Sequence, residues 1–268
     1  MRGVWSAVAI AIAGSLAVAA LAVPGVASAK PPAGTRKARA FPGTPTVGAL
    51  FDSATSRTHF CTASVVASPH GNVLLTAAHC VDGSAKGWSF APGFRHGVSP
   101  YGRWRVTGVY LDAQWIADQN PRRDYAFLTV APKRIDGQRT DIQTVTGANG
   151  LSTGPSRGET VTVPAYPHGT ANGPITCTAM VYFDGVFPAF NCNPYVDGTS
   201  GSPWLATTPD GIMIVGLIAG LHQGGCYPYT SYSPPLGSHA RAVYRRAVTG
   251  AKPEIAPKPG PDGCSTGL

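Results

Sequence analysis

The chain has 268 residues and a formal net charge of +8, from 21 Lys/Arg against 13 Asp/Glu. Residues 1–40 hold five basic residues and no acid, and residues 241–268 hold five against two, so residues 41–240 carry no net charge. A core without a clustered basic face excludes nucleic acid as the partner.

Arg2 gives the chain a positive start, Val4 to Val23 is almost wholly apolar, and Ala27-Ser28-Ala29 offers a small-residue cleavage site. Residues 1–29 therefore read as a secretory signal, because Pro24 and Gly25 break the apolar run before a membrane anchor is complete. The mature protein is expected to be secreted, without stable membrane association and monomeric. Residues 30–40, rich in Pro, Lys and Arg, read as a disordered leader or short pro-segment.

Short β-like runs follow, separated by Gly, Pro and Ser: Thr46–Phe51, Phe60–Ala67, Val73–Thr76, Trp104–Leu111 and Asp124–Val130. His79 follows the third run in Thr76-Ala77-Ala78-His79-Cys80, and Asp124 heads the fifth. The glycine-rich stretch Gly147–Gly158 reads as a connection between halves. Thr160–Ala165, Ile175–Phe183, Val186–Asn191 and Ile212–Ala219 form a second set, which makes the chain all-β. Ser200 lies between glycines in Gly198-Thr199-Ser200-Gly201-Ser202-Pro203. One helix is expected over residues 239–249, with Ser238 as N-cap and Gly250 as its stop. Residues 251–268 read as a Pro-rich tail.

An imidazole, a carboxylate and a hydroxyl on a tight glycine turn are the three groups that acyl transfer needs. Gly198 and Gly201 permit backbone conformations closed to other residues, so the amides of Gly198 and Ser200 can converge as an oxyanion hole. Asp112, Asp82, Asp118 and Asp136 are competing acids, but only Asp124 directly precedes a buried-looking strand. The order His79, Asp124, Ser200 excludes an α/β-hydrolase, which runs Ser, Asp/Glu, His with the serine in Gly-x-Ser-x-Gly. No Cys-x-x-Cys or His-Glu-x-x-His occurs, so neither metal nor other cofactor is implied. Six cysteines, an even number in an exported chain, fit a disulfide framework. Cys61 is the natural partner of Cys80 beside His79.

These motifs and their order closely resemble the chymotrypsin-like serine peptidases. Gly-Thr-Ser-Gly-Ser-Pro is more similar to the bacterial glutamyl-endopeptidase branch than to animal trypsins. The resemblance covers about residues 41–250 and is tight only around His79 and Ser200. It implies two six-stranded antiparallel β-barrels, about 41–146 and 159–237, with the active site between them and the C-terminal helix on the second. It implies a serine endopeptidase acting on protein or peptide substrates. A catalytically silent binding protein on the same fold is the alternative.

The resemblance also places a substrate pocket at Pro194–Gly198 and Ala219–His222, with Pro194, Asp197, Ala219, Gly220 and His222 as wall residues. Pro194 stands where trypsins carry Asp and Ile218 where glutamyl endopeptidases carry His, which points to apolar or small residues at the cleavage site. Thr199 stands where trypsins carry the Asp that receives a freed amine, so that activation switch is expected to be absent. Two pairings of the other cysteines stay open. One is Cys177–Cys192 with Cys226–Cys264; the other is Cys192–Cys226 with Cys177–Cys264.

Overall fold

The computed structural model describes residues 30–264, with Met1 and Gly3. The expected signal segment lies almost wholly outside the described residues. Two short strands come first, β1 (Arg36–Lys37) and β2 (Arg39–Ala40). They correct the expectation of disorder at residues 30–40. Strand β1 runs parallel to residues Cys192 and Asn193, and β2 pairs antiparallel with Ile175 and Thr176. The basic side chains stay in water while the backbone supplies the ladder, and side-chain composition does not report that bonding.

Six strands then close into a barrel: β3 (Val47–Phe51), β4 (Cys61–Val66), β5 (Val73–Thr76), β6 (Ser89–Pro92), β7 (Trp104–Leu111) and β8 (Ala126–Val130). Their order around the barrel is β3-β4-β5-β8-β7-β6, with β6 returning to β3, so no edge is left open. In β7, Trp104 and Val106 face the core while Arg105 and Thr107 face out. Helix α1 (Ala113–Asp118) lies between β7 and β8, capped by the Asp112 carboxylate on the Gln114 amide at 2.9 Å. A hairpin of β9 (Lys133–Ile135) and β10 (Gln138–Thr140) and helix α2 (Ile142–Thr146) complete this half.

The second half holds β11 (Gly150–Leu151), β12 (Thr160–Ala165), β13 (Ile175–Met180), β14 (Tyr182–Asp184), β15 (Phe187–Asn193), β16 (Pro203–Thr208), β17 (Gly211–Leu217) and β18 (Thr230–Tyr232). Its ladders form a six-stranded sheet, β11-β17-β16-β12-β13-β2, and a second sheet in which β15 pairs with β1, β14 and β18. The Cys177–Cys192 disulfide joins β13 to β15 where no backbone ladder does. Val163, Phe190, Trp204 and Ile218 fill the space between the sheets.

Helix α3 spans Gly237–Val248. Leu236, not Ser238, is its N-cap, and Gly250 follows with φ +68°. It packs on β7 and β8 of the first barrel rather than on the second half. Ala240, Val243 and Ala247 are buried there, the Tyr244 ring meets Phe127, and the Tyr244 hydroxyl donates to the Ala67 carbonyl at 2.7 Å. β8 reads as an apolar run interrupted only by Thr129 because the barrel interior covers one face and α3 the other. The segment after α3 is docked: Ala256 is buried and bridged to Gly83, and Cys264 is bonded to Cys226. Among the described residues no helix is long and apolar enough to cross a membrane.

Candidate active site

β5 ends at Thr76 and the extended Ala77 leads into a single helical turn, Ala78–Cys80, that carries His79. Ala77 and Ala78 are fully buried, and the Cys61–Cys80 disulfide ties the turn to β4. A one-turn support of this kind is stiff because its packing side chains are methyl groups and its far end is covalently anchored.

Asp124 follows the turn Pro121–Arg123 and is wholly buried. Three donors satisfy its carboxylate: the His79 amide on Oδ1 at 2.9 Å, His79 Nδ1 on Oδ2 at 2.7 Å, and the Gly220 amide on Oδ2 at 2.8 Å. A buried carboxylate without such partners would be severely destabilising. With Nδ1–H committed to Asp124, the imidazole presents Nε2 as an acceptor. Asp112, a rival in the sequence, is spent elsewhere: besides capping α1 it accepts the Tyr125 hydroxyl at 3.2 Å.

The loop bearing Ser200 is pinned by β4. The Thr62 amide donates to the Ser200 carbonyl at 2.9 Å, and the Thr62 hydroxyl donates to the Gly198 carbonyl at 3.0 Å. That hydroxyl also accepts the Tyr166 amide, and the Thr76 hydroxyl donates to the Thr62 carbonyl at 2.8 Å. Gly198 and Gly201 take φ +87° and +83°. A Cβ at Gly198 would strike the His168 backbone, and one at Gly201 the Thr62 carbonyl. Both glycines are therefore required by conformation and by space.

Both the amide and hydroxyl of Thr199 donate to the Val196 carbonyl, at 3.0 and 2.7 Å. Among the described residues the amides of Gly198 and Ser200 have no intramolecular acceptor. Among the described residues no hydrogen bond joins the Ser200 hydroxyl to His79, whose ring bond goes to Asp124. Catalytic hydrogen bonds of this type often tighten only once substrate is bound.

Ser200 borders a cavity of about 550 Å³. Asp197 lines it, but Pro194, Ala219, Gly220 and His222 do not. The wall opposite Thr199 is instead Ile218 and the run Gln223–Pro228, with Tyr195, Thr230 and Ser231. Gly220 is drawn away because its amide is bound to Asp124, and Leu221–Gly224 turns sharply before the chain returns. The repeated glycines Gly224-Gly225 were the available sequence signal for that return. Burial pushes the Tyr195 phenol up, so it remains neutral and donates to the Val163 carbonyl. No buried charge lines the cavity, since Asp197 and His168 are both exposed at its rim.

The remaining cysteines form Cys177–Cys192 and Cys226–Cys264. His222 lies with Cys226 and Cys264, their donor atoms within 4.8 Å of one another. Both sulfurs are consumed by the disulfide and offer no thiolate to a metal.

The family model of the trypsin-like peptidase domain matches residues 61–214, a span that includes His79, Asp124 and Ser200. Among solved structures, the protease Anisep from Arthrobacter nicotinovorans aligns with TM-score 0.65 and 21% identity over 79% of this chain and 99% of its own. A thermostable serine protease, AL20, from an extremophilic microorganism aligns with TM-score 0.62 and 26% identity over 77% of this chain and 98% of its own. A Glu endopeptidase aligns with TM-score 0.62 and 17% identity over 81% of this chain and 98% of its own. No curated protein matches the sequence.

Proposed function

The chain belongs to the trypsin-like peptidase domain family and is a serine-type peptidase, and from that premise we propose that Ser200, His79 and Asp124 are its catalytic triad in a secreted endopeptidase. The observation that carries this is the buried Asp124, which holds His79 through Nδ1, together with Ser200 at the border of a cavity, beside two amides without acceptors. Ser200 Oγ attacks the peptide carbonyl and its proton passes to His79 Nε2. The amides of Gly198 and Ser200 receive the oxyanion. Collapse expels the amine, which takes the proton from His79. A water then repeats the sequence and frees the acid product. Asp124 fixes the tautomer and stabilises the imidazolium without taking the proton.

The second half, with its two packed sheets, serves as the second barrel of the fold. The buried part of the cavity wall carries no charge, Asp197 and His168 being exposed, and this favours an apolar or small side chain on the acyl side of the cleaved bond. A signal at residues 1–29, the three disulfides and the serine-peptidase site fit work outside the cell.

Ser200→Ala and His79→Ala are each expected to lower kcat by up to about 10⁶-fold, and Asp124→Asn by about 10⁴-fold with the fold intact. A fluorophosphonate that labels wild type but not Ser200→Ala distinguishes this enzyme from a silent binding protein. Full turnover by Ser200→Ala would exclude the mechanism. Dominant cleavage after Arg or Glu in a peptide library would exclude the specificity.

A further inference from the structure

Beside the Ser200 cavity lies a second one of about 670 Å³, and Gln223 lines both. Its walls come from three places: α1 with Trp115 and Ile116, the turn Gly220–Gln223, and the C-terminal segment with Pro257 and Pro261. That segment is bound at several points. Gln119 Nε2 donates to the Lys258 carbonyl at 2.8 Å, and Gln119 Oε1 accepts the Gly260 amide at 2.7 Å. Gln223 Nε2 donates to the Gly260 carbonyl at 2.8 Å, and His222 Nδ1 pairs with the Asp262 carbonyl at 3.2 Å. The Cys226–Cys264 disulfide then anchors the end of the segment to the wall of the first cavity.

We propose that this C-terminal segment is a specificity element, forming one wall of a subsite for an apolar side chain of the substrate. The inference rests on the catalytic reading of Ser200. Continuity identifies the occupant. The residue whose side chain fills the first cavity carries the acyl carbon, and the turn Gly220–Gln223 lines the second cavity and reaches the first at Gln223. A peptide lying along this run places its preceding residues at the second cavity. Ile116 stays 38% exposed on the cavity wall, a large apolar surface turned to the open volume. His222 and Gln223 hold left-handed φ of +52° and +51° at the junction, and the side chain of each is bonded to the C-terminal segment. Such conformations persist only where surroundings enforce them. The segment borders open volume instead of filling it, which makes it a wall and not a plug.

The test compares two fluorogenic substrates with the same residue at the cleaved bond. One ends there; the other continues for three apolar residues on the acyl side. The variants are Pro261→Trp, which fills the cavity with the disulfide kept, and a chain ended after Ala256 carrying Cys226→Ser. In both, the long-to-short ratio of kcat/KM is expected to fall roughly tenfold to a hundredfold, as loss of one apolar side-chain site implies. An unchanged ratio in Pro261→Trp overturns the subsite, and it decides alone if the shortened chain does not fold. A rising ratio in the shortened chain also overturns it, because the segment would then be an obstruction. A wild type inert on both substrates rejects the catalytic reading itself, whereas wild-type activity with an unaltered ratio rejects only the subsite.

Discussion

Thr62, bonded to the serine loop, and His59, three positions before it, are two buried polar residues, and neither stood out in the sequence. Thr62 looked like an ordinary β-branched strand residue, yet its hydroxyl serves both Gly198 and Tyr166. Thr62→Val keeps the shape and leaves those two backbone groups unpaired, a cost of about 1–3 kcal/mol. We expect kcat to fall about tenfold or more with little change in KM, and Thr62→Ser to restore it. Wild-type kcat in Thr62→Val would remove Thr62 from the positioning of the site. His59 is fully buried among Phe51, Phe94 and Tyr166, with neither ring nitrogen hydrogen-bonded. Burial, with a smaller contribution from His168, lowers its pKa from 6.5 to about 4. A base whose folded pKa is depressed takes up its proton first in the unfolded chain. Stability from neutral His59 is thus fully present above pH 6.5 and falls as pH drops from 6.5 to about 4. The loss is about 3 kcal/mol in all. His59→Phe should flatten that slope, read as urea midpoints at pH 7 and 4.5; an equally steep fall in the variant would place the acid sensitivity elsewhere.

At the scale of elements, what was legible depended on whether side chains or backbone made the structure. β7, β8 and β17 declared themselves through β-branched and aromatic runs. β6 and β16 did not, since Ser89–Pro92 is only four residues long between Gly87 and Gly93, and Pro203–Thr208 follows directly on the Gly/Ser-rich serine loop. β1 and β2 were invisible for the opposite reason, being basic and bonded only through the main chain. The helix was legible as a stripe, but which surface it covers depends on tertiary packing. β2 protects the β13 edge, so a chain starting at Phe41 should melt several degrees below one starting at Lys30, an effect of about 1–2 kcal/mol. Coincident melting curves would show that the two strands contribute nothing. The Thr199–Val196 bonds already hold the serine loop without an N-terminal amine. Residues added before Lys30 should therefore leave activity intact, and a dead extended form would show that the amine matters.

Across the whole molecule the site exists only because the two halves meet. His79 and Asp124 come from the barrel, while Ser200 and the Gly220 amide come from the second half. The individual motifs could be read locally; the Thr62 and Gly220 bonds that join them span 136 and 96 residues and left no local pattern. The same holds for the cavity walls: of the residues read as lining the pocket, Asp197 borders the first cavity while Gly220 and His222 border the second. One apolar cluster runs through both halves, joining barrel residues to Leu217, Ala219, Leu236 and α3. The chain after α3 then binds back to the barrel at Glu254. The Leu111 amide donates to Glu254 Oε2 at 3.1 Å, and Arg246 donates to Glu254 Oε1 at 2.6 Å and to the Leu111 carbonyl at 2.8 Å. The ion pair is partly exposed, so solvent weakens its contribution, but the backbone amide needs its acceptor. Glu254→Ala should cost about 1–2 kcal/mol and lower the melting midpoint by about 2–8 °C. Because the shared core couples the halves, unfolding should remain a single transition in wild type and variant, by calorimetry and by tryptophan fluorescence alike. A variant melting in two steps would mean that the Glu254 contact, rather than the shared core, holds the halves together.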